Sequence, residues 1–240
     1  MSAARLDQEV AERGLAPSRQ QAQALIMAGR VKVDGETVRR PDRRLREGTR
    51  VEVSPADGYA SRGGHKLAPA LDAFQVEVTG RLCADIGAST GGFTDVLLRR
   101  GASRVYAVDV GYGLLHWRLR NDERVVPMER VNARDLDGFP EPVHLVTVDV
   151  SFIGLEKVLP AVRRAAPDAE VVVLFKPQFQ VGRHLVGKKG VVRDPAAVEE
   201  ALESFATWSR EHGYAVLARA DSALRGPEGN QEVFLHLAPR

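Results

Sequence analysis

The chain has 240 residues, 44% hydrophobic and 28% charged, with a formal net charge of +2 and one cysteine. These values fit a globular chain of one or two domains. They exclude a disulfide framework within the chain, and no apolar run approaches the ~20 residues that a membrane span needs. Residues Met1 to Glu9 lack the apolar core of a secretory signal, so a cytoplasmic location is expected.

The charge is unevenly spread. Residues 1–60 hold 11 Lys/Arg against 9 Asp/Glu, and the remaining 180 hold 23 of each. Arg39, Arg40, Arg43, Arg44, Arg46 and Arg50 crowd twelve positions that contain two acids. A basic patch of this kind suits phosphates. The same region has a readable shape. Leu6, Val10 and Leu15 predict a short helix that stops at Gly14. Ser18 caps a second helix, with Ala22, Leu25 and Ile26 on its inner face and Gly29 at its end. Val31 to Val33, the Asp34-Gly35 pair and Thr37-Val38 predict a hairpin with a tight turn, and Arg50 to Val53 another strand. Arg5, Leu6, Asp7, Ser18, Arg19, Arg30 and Lys32 fall in an order that resembles the α-L RNA-binding domain of a small-subunit ribosomal protein. The resemblance implies that structured RNA is bound by shape, with Arg5, Arg19, Arg30, Lys32, Arg39, Arg40, Arg43 and Arg44 as candidate RNA contacts.

Ser54 to Gly58 reads as a linker. The expected division is 1–55 for the first domain, 56–64 for the linker and 65–240 for the second domain. Gly63-Gly64 permits a sharp turn, and Lys66 opens a helix that ends near Phe74. Leu82 to Ile86 reads as a buried strand with one acid, Asp85. It breaks into a loop from Gly87 to Gly92, followed by a helix from Phe93 to Arg100. Strand, glycine turn and helix begin a nucleotide-type α/β fold. The spacing is Asp-x-Gly-x-x-x-Gly-Gly rather than Gly-x-Gly-x-x-Gly. A carboxylate before the first glycine disfavours a phosphate there and accepts a ligand with a cationic amino group, such as S-adenosylmethionine. Glycine at these positions would let the backbone approach the ligand. Asp85, Gly87, Ser89, Gly91, Gly92 and Phe93 are therefore candidate cofactor contacts.

Arg104 to Asp109 is a second strand ending in an acid, placed to hold ribose hydroxyls. Asp109 alone does not separate NAD from S-adenosylmethionine. Leu114 to Arg120 reads as a helix, with Trp117 either in the core or against a ligand ring. After a strand at Val125 to Met128, Arg134 or Asp135 either touches a base or caps a turn. His144 to Asp149 and Glu170 to Phe175 are further central strands, with a helix expected between them from about Leu155 to Ala165, and the second strand ends in Lys176 and is stopped by Pro177. Ligands of open α/β sheets lie at the carboxyl ends of strands, so Asp85, Asp109, Asp149 and Lys176 are expected at one edge. Phe179 to Asp194 is a long loop rich in Gly and basic residues, a candidate clamp on RNA. A helix from Pro195 to His212 and an antiparallel pair, Tyr214 to Asp221 and Glu232 to Leu237, close the chain.

Six ordered motifs run from Ser61-Arg-Gly-Gly-x-Lys66 to Gly229-Asn-Gln-Glu232: these two, Asp85 to Phe93, Val108 to Gly111, Val148 to Phe152 and Leu174 to Phe179. Together they resemble the TlyA (haemolysin A) family of rRNA ribose methyltransferases. The resemblance implies a Rossmann-like α/β methyltransferase fold of FtsJ type behind a small α+β RNA-binding domain, with S-adenosylmethionine as cofactor. It implies ribosomal RNA or ribosomal subunits as partner, and no metal. The family's catalytic Lys-Asp-Lys-Glu set falls on Lys66, Asp149, Lys176 and Glu232. On this reading Lys176 orients the hydroxyl and Asp149 sits between the two lysines. Lys66 holds the other side, and Glu232 orients a lysine or the ribose. Three other classes are disfavoured. A membrane-lytic protein would need a span or a lytic amphipathic helix. A non-catalytic RNA-binding factor would have lost a position of the catalytic set. An NAD-linked dehydrogenase would have the other glycine spacing.

Overall fold

The computed structural model describes residues 4–16, 18–27, 29–46, 48–53 and 58–240, with Ala24 described by its backbone only. Of the expected linker, residues 54–57 lie outside the described ones, while Gly58 to Gly64 are described and Gly64 already begins a helix. The chain divides into two compact units, Met1–Gly58 and Tyr59–Arg240.

The first unit contains β1 (Ala4–Arg5), α1 (Leu6–Glu12), α2 (Arg19–Met27), β2 (Val31–Val33), β3 (Glu36–Val38), β4 (Arg44–Leu45) and β5 (Val51–Val53). β2 is the centre of a three-stranded antiparallel sheet between β3 and β5, and β1 pairs with β4. Asp34 and Gly35, with φ of 51° and 85°, make the left-handed turn that matches hairpin twist. The Ser18 hydroxyl accepts from Gln21 N at 3.2 Å and caps α2. Leu6, Val10, Ala22, Ile26, Val31, Val33 and Leu45 close a core that belongs to this unit alone.

The second unit contains α3 (Gly64–Ala73), β6 (Leu82–Ile86), α4 (Gly92–Arg99), β7 (Arg104–Asp109), α5 (Trp117–Arg120), β8 (Val125–Glu129) and β9 (Leu145–Val148). It continues through α6 (Leu159–Ala165), β10 (Glu170–Phe175), α7 (Pro177–Gln180), α8 (Pro195–Glu211), β11 (Tyr214–Asp221) and β12 (Val233–Pro239). Its seven strands run in the order β11-β12-β10-β9-β6-β7-β8. β8, β7, β6, β9 and β10 are mutually parallel, and β12 lies antiparallel between β10 and β11. The central strands are buried on both faces, as crossover helices require. Alternate residues serve opposite layers. Ala84, Ile86, Val146, Val148, Val171 and Val173 join one core with α6 and α8. Cys83, Leu145, Val172 and Leu174 join another with α3 and α4. The order reverses between β6 and β9, the place where a ligand crevice opens in such sheets.

Three elements differ from their sequence reading. The helix expected over 114–120 is confined to α5, because Gly113 turns with φ 69° and His116 supplies the cap. The helix expected from 155 begins as a 3-10 turn, Leu155–Lys157, before α6. The loop expected after Phe179 is built: α7, a 3-10 turn at Arg183–Leu185 and a bridge between Val186 and Val192. Asn230, 3% exposed, bolts it to the β12 side, accepting from Val192 N at 2.9 Å and donating to Gly190 O at 2.8 Å.

Candidate active site

Two cavities meet where β6 and β9 end. One, of about 310 Å³, is lined by Gly87, Ser89, Asp109, Leu114, Val131, Asn132, Ala133 and the stretch from Asp149 to Ile153. The other, of about 170 Å³, lies between the glycine loop, the segment from Ser61 to Lys66, Asp149 and Arg225. Asp149, Gly87 and Ser89 line both.

Asp109, at the end of β7, accepts from Ser89 N at 2.8 Å and Gly111 N at 2.7 Å. These two backbone donors fix the carboxylate at the wall of the larger cavity, with lone pairs left for hydroxyl groups. The slot is otherwise mainly apolar, and its volume falls within the ~300–1,000 Å³ of small-molecule sites. A nucleoside with a free ribose fits that lining.

The four residues of the expected catalytic set come together, arranged as two ion pairs. Lys66 Nζ meets Glu232 Oε2 at 2.5 Å, and both side chains are buried. Lys176 Nζ meets Asp149 Oδ1 at 2.6 Å and donates to Ser151 Oγ at 2.9 Å. Asp149 therefore does not bridge the two lysines: Glu232, 166 residues downstream of Lys66, takes the first. The Lys176–Asp149 contact is ionic, and among the described residues neither Asp149 Oδ1 nor Glu232 Oε1 has a hydrogen-bond partner. Glu232 Oε1 lies 2.7 Å from where a Cβ would stand on Gly226, so only glycine leaves room for this carboxylate.

The remaining candidates separate. Asp85 points away from the edge, beneath α4. It is fully buried and accepts from Thr94 N at 2.8 Å, Thr94 Oγ1 at 2.7 Å and Thr147 Oγ1 at 3.2 Å. Side-chain alternation on β6 sends it to the α4 face, so the cofactor contact expected from its spacing is replaced by a role inside the turn. The glycines also serve the protein itself. A Cβ on Gly87 would lie 2.5 Å from Asp149 O, one on Gly91 2.3 Å from Leu119, and one on Gly92 2.2 Å from Ser61 Oγ. Gly91 lines neither cavity; Gly92 and Phe93 line the smaller one. Phe93 is 3% exposed and packs against Phe234. Asp135 is exposed on its 3-10 turn, while Asn132 and Ala133 face the slot. Trp117 is half-buried and stacks on His116.

Three further residues escaped the sequence reading. Asp95 accepts from Ala60 N at 2.7 Å and pairs with Arg99 and Arg118, tying the segment before Lys66 to α4. Arg225 lines the smaller cavity. Phe152 stands at the slot 91% exposed with φ 65° and tilts against Phe179 at 5.3 Å. Its place at the end of the Val148 to Phe152 motif, three residues after Asp149, is the sequence signal that could have drawn attention to it, and its left-handed backbone marks it in the structure.

In the first unit, Lys32, Arg39, Arg40, Arg43 and Arg44 are exposed, and Arg30 is half-buried. Arg40 pairs with Asp42, and the Arg39 guanidinium packs over Gly29. Arg5 and Arg19 converge on buried Asp7.

Residues 59–238 match the FtsJ-like methyltransferase model, and residues 4–51 match the S4 domain. The chain is 49% identical over 239 residues to the 16S/23S rRNA (cytidine-2'-O)-methyltransferase TlyA of Mycobacterium tuberculosis, covering 98% of this chain and 89% of that one. The chain belongs to the TlyA family. It is a methyltransferase of FtsJ type with an N-terminal S4 domain. A TlyA relative named Hemolysin A, from Brachyspira hyodysenteriae, is 40% identical over 97% of this chain and 98% of its own length. A solved structure from Streptococcus thermophilus that carries a hemolysin label superposes with a TM-score of 0.75 at 40% identity, covering 100% of this chain and 89% of that one. The magnesium protoporphyrin IX methyltransferase of Synechocystis, solved with bound SAM, is 14% identical with a TM-score of 0.52, over 74% of this chain and 80% of that one, and shares the fold. No helix among the described residues of this TlyA member is long and apolar enough to cross a membrane.

Proposed function

We propose that the chain methylates the ribose 2'-hydroxyl of a cytidine in ribosomal RNA, in the cytoplasm, using S-adenosylmethionine. The observation that carries this is the pair of lysine–acid contacts beside the two cavities: Asp149 lines both cavities and holds Lys176, and Lys66 lines the smaller one and is held by Glu232. Asp109 and the backbone of Gly87 to Ser89 would hold the nucleoside end of the cofactor. The polar cleft at Ser61 and Lys66 would hold its amino-acid end. When bound, the cofactor supplies an electrophilic methyl group on a sulfonium.

The chain's own task is to bring a weak nucleophile into line with that methyl, and positioning supplies much of the rate. Lys176 is braced from two sides, by Asp149 and by Ser151, so its ammonium group is held for one direction of approach. From there it orients the ribose hydroxyl. The Lys66–Glu232 pair holds the opposite wall. Phe152 offers an exposed ring face at the slot, and unpaired RNA bases stack on such faces. The arginines and Lys32 of the S4 unit supply affinity for the RNA backbone.

The test is single-turnover transfer of a labelled methyl group to rRNA, with cofactor and RNA affinities measured in parallel. Lys176→Ala should lower the rate by about 10²–10⁴-fold while both affinities persist. Lys176→Arg should fail almost as badly, because a planar guanidinium does not reproduce a compact ammonium. Wild-type turnover by either variant would remove Lys176 from the chemistry, and no transfer to rRNA by the unaltered chain would remove the reading itself.

A further inference from the structure

A third cavity, of about 450 Å³, lies beside the reaction centre, and the methyl transfer described above has no use for it. Lys176 follows the end of β10 and Glu232 precedes the start of β12. Pro177 and Val233, the next residue after each, line the third cavity. β10 and β12 pair at this point, Phe175 opposite Val233, so the cavity and the catalytic set share the same two strand ends. Val191, Val198 and Leu202, from the built loop and α8, supply an apolar wall. Arg225 lines both this cavity and the smaller cavity of the active site.

The lining also carries polar groups with capacity to spare. Arg219 spends its terminal nitrogens on Glu199 at 2.6 and 3.1 Å, and Asp221 beside it is exposed, with its oxygens left to accept. Gln231 Nε2 donates to Ser222 O at 2.9 Å and Glu232 O at 3.1 Å, which leaves its amide oxygen. Arg225 donates Nη1 to Gly229 O at 3.1 Å and keeps its other nitrogens, and Arg193 stands exposed in the same lining.

We propose that this cavity is a subsite for the base of the nucleotide next to the target in the RNA chain, with Arg225 and Arg193 toward the phosphate between them. The proposal rests on the reading of the chain as an rRNA methyltransferase. The volume lies within the ~300–1,000 Å³ of small-molecule sites, enough for one nucleoside and too small for a duplex. Unpaired bases are splayed out and read by their faces and edges. The valines and Leu202 suit the face. Asp221 and the Gln231 oxygen suit an edge that donates, so a base with an exocyclic amino group fits better than uracil, which offers a single ring N–H. Glu199 and Asp221 disfavour a bare phosphate inside the cavity. Because one arginine side chain lines both cavities, they are a nucleotide's step apart. Holding the neighbour would fix the register of the target ribose against the methyl donor.

The test locates the RNA and then weighs the subsite. Pro195→Cys in the full chain takes a thiol-coupled photo-crosslinker at the exposed rim, while the natural cysteine, Cys83, is buried and stays unlabelled. After illumination with rRNA and with ribosomal subunits, primer extension should place the crosslink on a nucleotide adjacent to the methylated cytidine. Asp221→Asn and the cavity-filling Val198→Trp should each lower rRNA affinity about tenfold and leave S-adenosylmethionine affinity unchanged. Counting charges predicts the opposite sign for Asp221→Asn, since loss of an acid tightens binding to a polyanion. Asp168→Asn removes the same charge from an exposed position before β10, at the other end of the sheet, and should leave rRNA affinity as it is. Should Val198→Trp fail to fold, the exposed Asp221→Asn decides the matter. Crosslinks confined to nucleotides remote from the methylated one, or equal or tighter rRNA binding by Asp221→Asn, would overturn the subsite. An unaltered chain that methylates no rRNA would instead overturn the reading beneath it.

Discussion

Asp85 lies fully buried under α4, and burial pushes its carboxyl from the ordinary 3.8 up to about 7, with the hydrogen bonds from Thr94 opposing the rise and the charge of Asp149 adding to it. Between these two values the folded chain holds a proton that the unfolded chain has lost, so stability falls as pH rises through that window. A rise of this size corresponds to a contribution on the order of 4 kcal/mol, present below pH ~4 and gone above pH ~7. Asp85→Asn mimics the protonated form and keeps an acceptor for Thr94. Its unfolding free energy relative to wild type should therefore rise across that window, read from denaturant midpoints at successive pH values. Parallel profiles for the two proteins would show that Asp85 titrates alike in the folded and unfolded chain. This residue also shows what sequence leaves open. Asp109, Asp149 and Lys176 were legible because each ends an apolar run, and strand ends share one edge. Asp85 sits one residue before its strand ends, and only the parity of the pleat sends it under α4. The pairing within the catalytic set was illegible for another reason: which acid meets which lysine is decided by contacts between residues as far apart as Lys66 and Glu232.

At the scale of elements, the site depends on how tightly the ends of β6 and β9 approach. Gly87 turns with φ 84°, and a Cβ there would stand 2.5 Å from the backbone carbonyl of Asp149. Gly87→Ala meets both a disfavoured backbone region and a backbone atom that cannot rotate aside. It should lower the unfolding free energy by about 1–3 kcal/mol and displace Asp149, so turnover should drop along with stability. Gly138 is the matched control, with no atom within 4 Å of an added Cβ, and Gly138→Ala should stay within about 0.5 kcal/mol of wild type. Equal stability and turnover for both variants would separate the close approach from function. The glycine spacing was readable in the sequence, but its purpose was not. A glycine that admits a ligand and one that admits a neighbouring carbonyl leave the same mark. Central strands and long helices were legible because runs such as Val171 to Phe175 and the capped, periodic α8 allow little else. The two-residue strands β1 and β4 were not, since a pair that short carries no periodicity, and they exist because the α1 start is tied to Arg43.

At the scale of the whole molecule, two hydrophobic cores serve Tyr59–Arg240 and a separate one serves Met1–Gly58, with no residue in common. Each unit thus has its own reason to fold. The charge is divided in the same way: residues 61–240 hold 23 basic and 23 acidic side chains, and the surplus belongs to the first unit. A chain reduced to residues 59–240 should therefore fold and bind S-adenosylmethionine as the full chain does, because Gly87, Ser89 and Asp109 all lie within it. It should methylate rRNA poorly, because long-range attraction to a polyanion follows the surplus of positive charge. The basic loop around Arg183 to Arg193 remains in the truncated chain, so some residual RNA binding with a shallow salt dependence is expected. Reversing Arg43 and Arg44 to Glu in the full chain should reproduce the defect without truncation, lowering affinity and flattening its dependence on salt as fewer counterions are released. Calorimetric cofactor affinity, thermal unfolding and methyl transfer at two salt concentrations would check these points together. Full transfer by the truncated chain at physiological salt would place RNA recognition in the catalytic unit. Loss of its cofactor affinity would show that the two cores do not fold independently.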